Sequence, residues 1–579
     1  MRPLMRQFMR QLKSLHHALL VFSSICLLVG CTVTIQPITP PGSATVSATP
    51  AIQPTNTPAP EVTPPAVGEA WWNKAVFYEI FVRSFYDSNG DGKGDINGII
   101  EKLDYLNDGD PQTTSDLGVN ALWLMPIQPS PSYHGYDITD YYNVNPDYGT
   151  LQDFQRLMEE AHKRGIHLII DFVANHTSVE HPWFQQAQEP TSPYHNWYLW
   201  SETNPNTKGP WGQTVWHPAA GRYFYGVFWE GMPDLNYKNQ ATADEMDNVA
   251  RFWINEMGID GLRVDGARYL VEDDNVLADS KGNHAWFKHL RTVYKEINPN
   301  LMSVGEVWTS NEEVSPYAQG DEFDLLFNFD LAGALINSVL NSHADAARTA
   351  LSKSLKLLPP THSANFLSNH DQNRVMSELN GDVNKAKRAA TILLTLPGTP
   401  FIYYGEEIGQ EGRKPDEDLR RPMQWSNGNA AGFSTATPWR TPAVDYAEKN
   451  VATQNGDPNS LLSHYRYLIT LRNQEPALQT GEAYVVNSFT NRALLAYLRA
   501  DEAQNILIVN NLRDEFQGEY QLSLESGPLT PGAAYHIEPI WGSGDFAQIV
   551  ANGQGGFDAI QLNGGLNAGE TLILMVVKG

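Results

Sequence analysis

Arg263 and Asp265 stand two residues apart in Gly261-Leu262-Arg263-Val264-Asp265-Gly266, a short apolar run that reads as a buried strand. Successive side chains of a strand alternate between its faces, so these two share one. A guanidinium beside a carboxylate orients it and favours its ionised form. An ionised, oriented aspartate can act as a nucleophile on an electrophilic sugar carbon. Taken alone, the pair reads as a structural ion pair at a strand end. It has company: Glu306 in Val304-Gly305-Glu306 and Asp371 in Asn369-His370-Asp371 also follow strand-like apolar runs.

A second group of oxygen-bearing side chains lies earlier, in Asp87-Ser-Asn89-Gly-Asp91-Gly-Lys93-Gly-Asp95. Oxygen donors at alternate positions with glycines between them can wrap a hard cation such as Ca2+, with the Lys93 carbonyl completing the set. The spacing follows the first part of an EF-hand loop, but Gly98 stands where that loop needs a bidentate glutamate, so it is not an EF-hand. The competing reading is a solvated Asp/Gly turn.

The elements that must position these residues alternate between strand and helix. Apolar runs at 76–82, 120–125, 166–170, 261–264, 301–304, 323–327, 365–367 and 401–403 read as eight buried strands, with amphipathic helical patterns such as 151–164 and 242–257 between them. Eight strands with crossover helices imply an α/β fold, a closed (β/α)8 TIM barrel spanning about 69–480. Barrel chemistry sits where strands end, which is where the three carboxylates stand.

Four segments carry a family resemblance. Asp171-Phe-Val-Ala-Asn175-His176, Gly261–Asp265, Gly305-Glu306 and Asn369-His370-Asp371 occur in this order, each at an expected strand end. Together they resemble the signature of the α-amylase family of glycoside hydrolases, over a stretch from about Trp71 to the C-terminus. The resemblance implies Asp265 as nucleophile, Glu306 as general acid/base and Asp371 as the group that grips the distorted sugar. It also implies that Arg263 keeps Asp265 ionised and that His176 and His370 donate to sugar hydroxyls, while Tyr136 stacks on the sugar face. Asp137 and Arg420 match the pair that binds the terminal sugar in α-glucosidases. The flanking Val304, Val307 and Trp308 suit Glu306 to a raised pKa and a protonated start. A retained configuration through a covalent glycosyl-enzyme follows.

The insertion 177–235, after the third strand, holds six of the fifteen Trp residues and matches the family's small domain B, which forms a wall of the cleft. Most of its aromatics read as that domain's own core, a few as sugar platforms. Near its end, Gly231-Met232-Pro233-Asp234-Leu235-Asn236 resembles a group intermediate between oligo-1,6-glucosidases and neopullulanases. The expected substrate is therefore starch or maltooligosaccharide, cleaved at α-1,4 bonds by an enzyme of broad specificity. The alternatives are an α-glucosidase or oligo-1,6-glucosidase, a neopullulanase-like enzyme, a glucan- or trehalose-forming transferase, and a non-catalytic sugar-binding protein, which would usually lack some of the three carboxylates. Beyond 481, short runs at 493–498, 505–509, 519–524 and 571–577 between Gly, Asn and Pro turns read as a C-terminal antiparallel β-sandwich.

Charge and termini bound the setting. A formal net charge of −26 over 579 residues disfavours nucleic acid and anionic membrane surfaces as partners. Residues 1–30 combine Arg2, Arg6, Arg10 and Lys13 with an apolar stretch too short for a comfortable span, ending in Leu28-Val29-Gly30-Cys31. That ending resembles a bacterial lipobox, which implies lipidation at Cys31 and an extracytoplasmic, membrane-anchored location. An ordinary signal peptide is the alternative. Residues 31–68 are dominated by Pro, Thr, Ser and Ala and read as an extended tether. The composition leaves oligomeric state open.

Overall fold

The computed structural model describes residues 70–273, 276–488 and 491–579. The leader, Cys31 and the tether lie outside the described residues. Eight parallel strands close into a barrel: β1 (Phe77–Ile80), β2 (Ala121–Leu124), β3 (His167–Phe172), β4 (Gly261–Val264), β5 (Met302–Gly305), β6 (Leu325–Phe327), β7 (Ser363–Phe366) and β8 (Thr399–Tyr403). Each pairs with its sequence neighbours, and β8 returns to β1, with Phe77 opposite Phe401.

Alternation along each strand splits the apolar residues into two layers. Phe77, Trp123, Ile169, Val304, Phe327, Phe366 and Phe401 fill the barrel, whereas Tyr78, Leu122, Leu168, Ile170, Leu262 and Val264 face the helical ring. Both faces are therefore dry, which is why the strands read as largely apolar runs. The crossover helices start where their caps are. Thr150 and Asp153 form a reciprocal capping box at helix Leu151–Lys163, Asn239 caps Gln240–Asn255, and Ser280 caps Lys281–Ile297.

The insertion folds as a three-stranded sheet of Trp200–Ser201, Arg222–Tyr225 and Trp216–Ala219, in that spatial order. Phe184, Trp200 and Phe224 pack as its core, while Trp211 is 56% exposed.

The C-terminal region is antiparallel, with a six-stranded sheet against a two-stranded one, Leu522–Ser526 with Gly555–Ile560. Residues such as Leu507, Leu524, Phe557 and Leu574 form the core between them. The opposite face of the large sheet, through Leu495, Tyr497, Ile506, Ile508 and Ile573, joins the barrel's own helical core. Tyr497 and Thr395 share a 2.6 Å hydrogen bond, and Arg499 donates to the Thr395 carbonyl at 2.8 Å. Residues from 70 onward accordingly belong to one compact unit. The sandwich leans on the barrel instead of standing apart from it. Strands Glu482–Val486 and Ala534–Trp541 escaped the sequence reading because exposed and half-buried residues dilute their apolar pattern.

Candidate active site

The barrel's upper interior layer is polar. Glu79, Trp123, Asp171 and Arg263 hold inward positions on β1 to β4, and register sets Asp171 directly opposite Arg263. Arg263 is wholly buried and binds three carboxylates. Its Nη1 donates to Asp171 Oδ1 and to Asp265 Oδ1, both at 2.7 Å, and its Nη2 donates to Glu306 Oε2 at 2.6 Å. A planar fork with several fixed donors can hold three groups in set directions at once.

Asp265 follows β4 directly. Its Oδ1 is held by Arg263, and Oδ2 has no protein donor among the described residues. Burial raises this carboxyl above its ordinary value, Arg263 opposes the rise, and Asp171 and Asp371 add to it. Arg263 thus favours the ionised form of Asp265, as expected, but its guanidinium is shared three ways and only partly offsets burial.

Glu306 follows β5. Both of its protein donors, Arg263 Nη2 and the Gly266 N–H at 3.1 Å, fall on Oε2, which leaves Oε1 to carry a proton. Gly266 can present that N–H because it adopts φ +51°, and a Cβ there would stand 2.8 Å from the Phe228 ring. Burial pushes the Glu306 carboxyl up to about 7, against Arg263 and with help from Asp265 and Asp371. The expected direction holds. Burial is the cause rather than Trp308, which is 47% exposed and stacks on Phe329 at 4.7 Å.

Asp371 lies in the loop after β7 and is the most open of the three, its side chain 31% exposed. Arg420 Nη2 donates to its Oδ1 at 2.8 Å, and His370 Nε2 lies 3.3 Å from its Oδ2. Burial works to raise its pKa, but His370 and Arg420 prevail and hold it well below the ordinary carboxylate value. Burial likewise disfavours charge on His370, yet Asp371 and Glu79 lift it to about 10.

A cavity of about 630 Å³ joins Tyr136, His176, Asp265, Glu306, Asp371 and Arg420. Trp211 and Phe228 of the insertion, together with Tyr269 and Trp308, form its aromatic walls. Arg263, His370 and Asp137 are absent from that lining. Arg263 lies beneath it. His370 is fully buried, with Nδ1 2.5 Å from Glu79 Oε1 and Nε2 2.7 Å from the Tyr136 hydroxyl, so both ring nitrogens face protein groups. Asp137 does not pair with Arg420: its Oδ1 accepts the hydroxyls of Ser130, at 2.6 Å, and Ser132. Arg420 turns instead to Asp371 and the His370 carbonyl. His176 does line the cavity. Burial lowers its pKa to about 4, so it meets a ligand as the neutral ring.

The sequence reading passed over Asp171, although it opens a quoted motif, and Glu79, whose place inside β1 looks like an ordinary polar interruption. The pairing of strands reveals both. In the 87–95 loop, Asp87 accepts the N–H groups of Gly90 and Gly92 at 2.7 and 2.8 Å. Asp95 caps helix Ile96–Glu101 through Gly98 N–H and also binds Ser88, while Asn89 and Asp91 are exposed. The donor set is all hard oxygen, as Ca2+ requires. Among the described residues, no three His, Cys, Asp or Glu side chains are placed together to hold a metal.

A closed parallel barrel whose strands end in three clustered carboxylates of unequal acidity has the make-up of a glycoside hydrolase. The family model for the alpha-amylase catalytic domain matches residues 79–481. The chain belongs to the alpha-amylase family and is a glycoside hydrolase of that type. It is 41% identical over 451 residues to Alpha-amylase 3 of Dictyoglomus thermophilum, covering 77% of this chain and 86% of that one. It is 34% identical to the trehalose synthase of Thermus thermophilus, over 79% of this chain but 52% of that protein. The crystal structure of an alpha-amylase from H. orenii superposes with a TM-score of 0.75 at 40% identity, covering 87% of this chain and 99% of that one.

Proposed function

We propose that this enzyme hydrolyses α-1,4-glucosidic bonds of starch and maltooligosaccharides with retention of configuration. The supporting observation is the shared guanidinium: Asp265 and Glu306 are tied to the two ends of Arg263. Such a tie suits the carboxyl separation of about 5 Å used by retaining enzymes better than the roughly 6.5–9.5 Å that lets a water stand between the groups of inverting ones.

In the first half-reaction Asp265 Oδ2 attacks the anomeric carbon as the bond to the leaving oxygen breaks, and Glu306 Oε1 gives its proton to that oxygen. Glu306, now ionised, removes a proton from water, whose oxygen displaces Asp265 and restores both carboxyls. Asp371, held ionised by Arg420 and His370, would accept hydroxyl donors of the distorted sugar. Glu79 supports it at one remove by charging His370. A sugar hydroxyl in place of water would give transfer products by the same chemistry.

The deciding experiment is a time course of products from amylose. Oligosaccharides of mixed length in the first minutes fit the amylase reading, whereas glucose alone from the start would assign the chain to the α-glucosidases. We also propose that the 87–95 loop takes a structural Ca2+ through Asp87, Asn89, Asp91, Asp95 and the Lys93 carbonyl; the side chains here are turned to N–H groups of the loop and would converge as the ion binds, cross-linking the loop with no part in catalysis. Cys31 is proposed as a lipid attachment point, which would hold the enzyme on the outer side of a bacterial membrane.

A further inference from the structure

We infer a second carbohydrate-binding site, separate from the catalytic cleft, in the crevice where the barrel's outer helices meet the C-terminal sheet, and assign it to a segment of α-glucan chain. The crevice holds about 650 Å³, as much as the cleft, and shares no lining residue with it. Helices Val383–Thr395 and Leu461–Gln474 form one side, and the end of strand Ala534–Trp541 with residues 568–571 forms the other.

Its most conspicuous feature is Trp541, 38% exposed on the crevice wall. The Tyr467 ring lies 4.6 Å from it and His464 makes an edge contact at 5.8 Å, so the indole is braced. Tyr467 is itself tied through its hydroxyl to the Ile540 carbonyl at 3.3 Å. Around this aromatic floor stand Asn384, Asn459, Ser463 and Glu570. An aromatic platform ringed by amide, hydroxyl and carboxylate groups suits a pyranose, which stacks its C–H face on a ring and turns its hydroxyls outward to donors and acceptors.

The charges favour a neutral ligand. Arg388 donates to the Leu512 carbonyl at 2.6 Å and pairs with Asp514, and Lys387 donates to the Asn459 carbonyl. Burial lowers His464 to about 4, so it adds no charge at neutral pH. With Glu570 also in the wall, the lining holds as many carboxylates as cations, and Arg388 is already paired with Asp514. A polymer held here and in the cleft would bind by avidity, which short oligosaccharides cannot exploit.

The site rests on the glucan reading, and the test separates the two. Full-length Trp541→Ala should retain kcat/KM on maltotriose, yet lose adsorption to granular starch and kcat/KM on amylose by about an order of magnitude. Trp541→Phe, which keeps a ring, should recover most of that loss. Should Trp541→Ala fail to fold, Asn384→Ala on the exposed helix face should show the same selective loss at smaller size. Wild-type adsorption and amylose kinetics in both alanine variants would overturn the second site while leaving the catalytic reading intact. Release of adsorbed enzyme by inorganic phosphate rather than maltose would also overturn it. Failure of the wild type to cleave maltotriose and amylose alike would instead remove the glucan reading beneath both.

Discussion

Two carboxyls lining one cleft are given opposite characters by what surrounds them. Glu306 lies between buried apolar groups and two other carboxylates, and its share of Arg263 does not offset that cost. Asp371 has beside it a charged imidazole, shared with Glu79, and the Arg420 guanidinium. Glu306 is therefore the acid of the pair, and the pH dependence has a definite sign. Activity needs Glu306 protonated, so kcat/KM on maltotriose should fall as pH rises through about 7, the value set in the free enzyme. A profile flat from pH 6 to 9 would contradict this. Asp265→Asn and Glu306→Gln should each lower kcat by about a thousandfold or more with the far-UV spectrum unchanged, since neither side chain is part of the apolar core. Near-normal turnover by either variant would remove that assignment.

At the scale of elements, the 87–95 loop is the one whose stability should respond to an ion. Its oxygens already accept N–H groups of the loop, but carboxylate and amide oxygens each carry a second lone pair. Binding to the native state alone stabilises by mass action, so chelation should lower the melting temperature of the wild type and Ca2+ should restore it. The response should vanish in Asp91→Ala, whose exposed side chain has no apolar packing to lose. A wild-type melting curve unmoved by chelator would dismiss the ion. The same loop abuts the segment after β8, where the Ser434 hydroxyl meets Asp87 at 2.5 Å, so loosening here would spread toward that segment.

For the molecule as a whole, the proposed lipid at Cys31 would set where it works. Among the described residues no helix is long and apolar enough to cross a membrane. Cys31→Ser should move the protein from the membrane fraction to the soluble one without altering maltotriose hydrolysis, because the catalytic residues, from Asp265 to Asp371, lie far along the chain from Cys31. Wild-type protein found entirely in the medium would end the anchoring proposal.

Much of this was legible in the residues alone. Eight apolar runs and the order of Asp265, Glu306 and Asp371 after them were enough for the barrel and its carboxylates, because a strand buried on both faces is mostly apolar and its polar terminus then stands out. What stayed hidden depends on neighbours distant in the chain. Asp171 and Arg263 meet through strand register across 92 residues, and His370 meets Glu79 across 291. The sharing of one guanidinium by three carboxylates is invisible in any single segment, as is the turn of Arg420 toward Asp371 and away from Asp137. Sequence spacing proposes which groups can do chemistry. Burial and the partners supplied by other strands decide which of them is the acid, which stays ionised, and which side chains reach the cleft.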